Sequence, residues 1–202
     1  MIDAEDALQR LRDGNARFVA GEIDPDTRRH AARREQLAAR QQPFAIILGC
    51  SDSRVPVEIV FDQGLGDLFV IRVAGNIVST TQLGSIEFAA DNLGARLVVV
   101  LGHTNCGAVD AALEAVQRGT VPESDNLRLI VDRIRPCAER ALSRGGNRGR
   151  AELVDLVGQA SVRSTVDTIR KTPGIIGRLT GEEGLLVVGA QYSLATGAVD
   201  FL

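Results

Sequence analysis

The sequence predicts an α/β fold: a mostly parallel central β-sheet of about four parallel strands plus an antiparallel edge strand, flanked by helices. Three observations predict it. FAIIL (44–48), LFVIRV (68–73), RLVVVL (96–101) and LLVVGA (185–190) are short apolar runs without strict alternation. A strand buried on both faces reads this way, and burial on both faces marks a parallel sheet. Helical stretches separate the runs, at 82–93, 108–118 and about 124–171, which is the alternation expected of an α/β domain. TGAVDF near the end reads as an antiparallel edge strand after a turn.

The elements follow in order. Ile2, Leu8, Leu11 and Phe18 recur at near-helical spacing, with Asp3 as N-cap and Asp6 three residues on, so a helix spans roughly 3–20. GEIDPDT breaks it, and the Arg-rich residues 30–41 form a second helix. The long helical region of 124–171 is interrupted by SRGGNRGR at 143–150, a flexible loop by composition. No internal repeat or linker divides the chain. It is expected to be a single domain over 1–202, with an N-terminal helical arm (1–41) and an α/β core (42–202). The two arm helices have little core of their own to cover ahead of the first strand and are expected to pack on a partner subunit.

Of the 202 residues, 45% are hydrophobic, ample for a core, and the net charge of −3 excludes nucleic acid as a general partner. Three Cys do not make a disulfide framework. The acidic N-terminus lacks the pattern of a secretory signal, and no apolar run approaches the ~18 residues of a membrane span. The expected compartment is cytoplasmic, with reduced thiols and no membrane partner.

In open sheets of this kind ligands bind beyond the carboxyl ends of the strands. Cys50 lies just past the first strand, and His103 and Cys106 just past the third. The H-x-x-C spacing in a turn leading into a helix lets His103 and Cys106 face one point, and a helix N-terminus eases deprotonation of a thiol. With Cys50 they make a Cys2His set, three ligands with a fourth position for water, which suits Zn2+. Cys137, mid-helix with no His or Cys nearby in sequence, reads as core. His30, in the Arg-rich helix, reads as a solvated side chain.

C-S-D-S-R at 50–54 followed by H-x-x-C-G at 103–107 resembles the β-class carbonic anhydrases. Flanking text agrees: RVP at 54–56, FDQGLGDLFVIRVAGN at 61–76, LGSIEF at 83–88 and, more faintly, VVGAQYSL at 187–194. The resemblance implies a zinc enzyme interconverting carbon dioxide and bicarbonate, with Cys50, His103 and Cys106 as ligands. It makes Asp52 and Arg54 the dyad beside the metal, with Asp52 able to swing onto zinc as a fourth ligand in a closed state. It also implies a homodimer, or a dimer of dimers, whose substrate pocket is completed across the interface by Gln41 or Gln42 and Phe69, with Phe88 and Gly107. Phe88 stands where many members have a tyrosine. Ile47 stands where some have a tryptophan lining an inhibitory bicarbonate site, although Arg72 and Tyr192 are retained there. Two other readings use the same residues. One is hydrolysis of carbon disulfide or carbonyl sulfide; the other is a non-catalytic, zinc-stabilised bicarbonate sensor, against which Arg54 argues.

Overall fold

The computed structural model describes residues 2–25, 30–144 and 148–202, and of residues 30–32 the backbone alone. The reading of the His30 side chain, and the centre of the 143–150 loop, lie outside the described residues. Helix α1 (Ala4–Ala20) starts where Asp3 Oδ1 accepts the Asp6 N–H at 2.8 Å, and it ends at Gly21 in the left-handed region, φ 73°. Helix α2 (His30–Leu37) follows. Then come β1 (Ala45–Gly49), α3 (Val57–Val60), β2 (Leu68–Arg72), α4 (Thr80–Glu87), β3 (Leu97–His103) and α5 (Gly107–Arg118). The chain continues through α6 (Asp125–Ser143), α7 (Arg150–Arg170), α8 (Ile175–Glu182), β4 (Leu186–Tyr192) and β5 (Val199–Phe201).

Among the described residues the strands form one sheet in the order β2-β1-β3-β4-β5. The first four are parallel and β5 is antiparallel to β4, as the apolar runs predict. Every residue of β1 and β3 is buried, because helices cover both faces. On one face Ile46, Leu48, Val98 and Val100 pack with Ile86 of α4, Val162, Val166 and Ile169 of α7, and Leu179 of α8. On the other, Ile47, Val99 and Leu101 pack with Leu8 and Leu11 of α1 and Val57 and Val60 of α3.

A third cluster sits past the carboxyl ends of β1 and β3. It joins Cys50 and Cys106 to Val109 and Leu113 of α5, Val131 and Ile134 of α6, and Val157 of α7. Cys137 lies in this cluster, as expected of a core thiol.

The inner face of α1 packs on its own sheet, with Ala7, Leu8 and Leu11 in one cluster with Ile47, Val99 and Leu101. α2 lies against the 61–67 loop of the same chain. There a Cβ on Gly66 would come within 2.5 Å of Leu37 Cδ1, and Arg33 pairs with Asp67. The inward surfaces of both arm helices are thus used within the chain.

Candidate metal centre

β1 and β3 are neighbours in the sheet, with Gly49 opposite Leu101, so their carboxyl ends open on the same edge. Cys50 follows β1, His103 is the last residue of β3, and Cys106 is the N-cap of α5. Asn105, at φ 53°, turns the chain from strand to helix in a conformation that Asn tolerates better than most residues. One ligand atom from each of Cys50, His103 and Cys106 falls within 4.8 Å of the others, and all three residues are buried.

His103 Nδ1 donates to the Thr104 carbonyl at 2.9 Å. That contact fixes the tautomer and leaves Nε2 as a bare lone pair. Nε2 is buried and has no hydrogen-bond partner, an arrangement that is costly unless something pairs it. A metal ion held with the two sulfurs would pair it, and two thiolates with one imidazole are a zinc-type donor set. Thr104 is itself tied to β4: its N–H donates to the Tyr192 carbonyl at 2.9 Å, and its Oγ1 accepts the Leu194 N–H at 3.1 Å.

The electrostatics favour a cation. The Cys106 thiol beside it brings Cys50 well below the ordinary thiol range, against the opposing pull of burial and with help from His103 and the Asp52 and Gly75 backbone. The Gly75 N–H lies 3.3 Å from the Cys50 Sγ. The same contact, with burial, pushes Cys106 up. One sulfur is thus favoured as thiolate and its neighbour as thiol, and a divalent ion would displace the remaining proton.

Asp52 stands at the rim. Its Oδ2 is 3.9 Å from His103 Nε2. Arg54 grips it as a fork, Nε to Oδ1 at 2.9 Å and Nη2 to Oδ2 at 2.7 Å, and the Arg54 N–H adds a bond to Oδ1 at 2.9 Å. The guanidinium holds the Asp52 carboxyl well below the usual carboxylate range.

The family model for carbonic anhydrase matches residues 45–199. The chain is 42% identical over 191 residues to carbonic anhydrase 2 of Mycobacterium tuberculosis, covering 95% of this chain and 89% of that protein. The chain belongs to the carbonic anhydrase family.

A Mycolicibacterium smegmatis carbonic anhydrase is also 42% identical, over 96% of this chain and 91% of its own length. The solved β-carbonic anhydrase CafA of Aspergillus fumigatus superposes with a TM-score of 0.77 at 26% identity, over 98% of this chain and 89% of that one. One of two tetrameric β-carbonic anhydrases from Sordaria macrospora shares the fold, with a TM-score of 0.74 at 24% identity over 98% of this chain and 97% of that one. The carbonic anhydrase described here is of the β class, and its reaction is the reversible hydration of carbon dioxide to bicarbonate and a proton.

Within one chain of the enzyme, the remaining residues singled out in the sequence divide. Gly107 opens α5 next to Cys106 and lines a cleft of about 330 Å³ with Asn105, Asp110, Arg150 and Val154. Gln41 and Gln42 are exposed and precede β1, so the whole strand separates them from Cys50. Phe69 is opposite Ile46 in the register, roughly 13 Å short of the Cys50 level at the usual strand rise. Phe88 is 49% exposed, with its ring centroid 6.3 Å from that of Phe69. Ile47 is fully buried in β1 and Tyr192 is buried at the end of β4, opposite His103. Sequence reasoning passed over Thr104 and Gly75, which act through backbone groups that any residue type carries.

Proposed function

We propose that Cys50, His103 and Cys106 hold Zn2+ and that Asp52, steered by Arg54, is the catalytic carboxylate of carbon dioxide hydration. The observation that carries this is the pairing of a buried, partnerless His103 Nε2 between two thiols with an ionised carboxylate held just outside them. Zinc, when bound, supplies a water whose pKa falls from 15.7 toward about 7, roughly 12 kcal/mol of preference for the hydroxide. The Cys50 and Cys106 thiolates neutralise the ion's formal charge and soften that effect, so turnover is expected to rise on the alkaline side of neutrality.

Asp52, as an ionised carboxylate, is acceptor-only. It takes a hydrogen bond at Oδ2 and so orients the attacking oxygen toward carbon dioxide. Arg54 keeps the carboxylate charged and occupies the lone pairs that would otherwise turn to the metal. This fork supports the catalytic reading over a centre that Asp52 closes permanently, which would need no such partner. His103 is committed to the metal, so the product proton leaves through water or buffer, and turnover should depend on buffer concentration.

Gln41, Gln42, Phe69 and Phe88 take a pocket role only if a second copy brings them to the centre. The exposure of Gln41, Gln42 and Phe88 supports a homodimer, or a dimer of dimers, completed in that way. Free Cys50, Cys106 and Cys137 support a reducing, cytoplasmic setting.

The test is elemental analysis with stopped-flow carbon dioxide hydration at pH 7 and 8.5, on wild type and Asp52→Asn, with carbonyl sulfide and carbon disulfide assayed alongside. One zinc per chain is expected in both proteins, with turnover about 100-fold lower in the variant, the scale of a misoriented reactant. A metal-free wild type, or a fully active variant, overturns the assignment.

A further inference from the structure

We infer that Arg72 is a positioning residue for this reaction, acting on Asp52 and Cys50 through their backbone carbonyls. The inference rests on the zinc reading above and adds to it the group that holds the ligand loop in place.

The geometry is specific. Gly49 is opposite Arg72 in the β1–β2 register, and the Val73 N–H donates to the Gly49 carbonyl at 3.1 Å. There the parallel ladder ends. The next carbonyls of the loop have no strand to pair with, and the Arg72 side chain reaches across to supply donors. Its Nε donates to the Cys50 carbonyl at 2.9 Å and its Nη2 to the Asp52 carbonyl at 2.6 Å. One rigid planar fork therefore spans the turn from the first metal ligand to the catalytic carboxylate.

Asp52 is thus held by two guanidiniums at opposite ends. Arg54 binds its carboxylate, and Arg72 binds its carbonyl. With the backbone pinned, the carboxylate can reach the metal only by rotating its own side chain and breaking the Arg54 fork. Without Arg72 the loop itself can shift, and Asp52 Oδ2 loses its fixed place 3.9 Å from His103 Nε2. Arg54 also reaches the Asn105 carbonyl on the second ligand loop, at 3.4 Å, so a displaced Cys50–Asp52 loop would disturb both sides of the centre. A lysine is a point donor that can serve one carbonyl at a time, and a glutamine is too short to bridge both.

The experiment compares wild type, Arg72→Lys, Arg72→Gln, Asp52→Asn and the Arg72→Gln/Asp52→Asn double variant. It measures zinc content, kcat and KM for carbon dioxide, and the visible spectrum of the cobalt(II)-substituted proteins, whose sulfur-to-metal and ligand-field bands report the coordination sphere. Arg72→Gln is expected to keep zinc, lose at least 10-fold in kcat with KM within about 2-fold, and change the cobalt spectrum. Arg72→Lys, which retains a cationic stem and guards against a folding failure, should recover only part of that loss. In the Asp52→Asn background the Arg72→Gln change should cost less than 3-fold, because residues acting through one another are not additive. A full Arg72→Gln cost in the Asp52→Asn background overturns the proposal. So does wild-type kcat and spectrum in both Arg72 variants, or a loss restored by added zinc alone. Absence of metal from the wild type is a separate outcome that overturns the zinc reading itself.

Discussion

Asp52 is the residue on which charge and geometry meet, and its pairing with Arg54 has a pH signature. The fork lowers its folded pKa below the unfolded value of about 3.9. A depressed carboxylate contributes stability above the unfolded value and loses it as pH falls through the folded one. The thermal-melt difference between wild type and Asp52→Asn should therefore be constant from pH 6 to 9 and shrink below about pH 4. A difference that varies across neutrality would mean that another group titrates at the rim. Removing the metal is a second test at this scale. Chelation leaves His103 Nε2 unpaired and a thiolate beside a thiol, so the apo protein should melt several degrees lower and recover with zinc, as differential scanning calorimetry would read. Cys50, His103 and Cys106 were legible in the sequence because soft ligands at two strand ends are rare and chemically specific. Arg72 was noted only through the resemblance, at a bicarbonate site; its bridge between the Cys50 and Asp52 carbonyls was not legible, because backbone partners are set by the fold.

At the scale of elements, the strands and the first helix were legible because their apolar patterns are strong. β3 and β4 each extend beyond their apolar runs, to His103 and Tyr192, where polar residues hide the continuation. Helix α8 escaped because Gly177 and Gly181 sit inside it and Gly174 caps it, and glycine weakens any helical reading. The predicted 82–93 helix instead spans α4 and a wider π-helical turn over Phe88–Asn92, a change of pitch that periodicity over so few residues does not show.

The docking of α1 against its own sheet was not legible either. Asn15 looks like an ordinary helix-surface residue, yet its Nδ2 donates to the Val60 and Gly197 carbonyls, both at 2.9 Å, and its Oδ1 accepts the Val199 N–H at 2.8 Å. This amide ties α1 to α3 and β5 and is buried. Asn15→Ala removes three bonds and strands buried partners, for about 2–3 kcal/mol. In a chain of this size that lowers Tm by about 5–10 °C, with the zinc content unchanged. A shift under 2 °C would show that α1 is held by its leucines alone.

For the whole molecule, the question left by the single chain is its partner. Phe69, on the edge strand β2, and Phe88 make a tilted ring contact, and Phe88 is exposed. Phe88→Glu is expected to lower the mass seen by analytical ultracentrifugation to that of one chain and to reduce hydration activity at least 10-fold, while zinc stays bound. A monomeric wild type with full activity would remove the pocket roles of Gln41 and Gln42. The topology of the ligands also constrains how the enzyme matures. Position 50 and positions 103 and 106 meet only because two strands distant in the chain lie side by side. A nascent polypeptide emerging from the ribosome therefore has no tridentate site until its central strands have zipped together. An ion held by these residues as proposed would therefore enter after that step, clasping the sheet's middle pair like a rivet set after the plates are aligned.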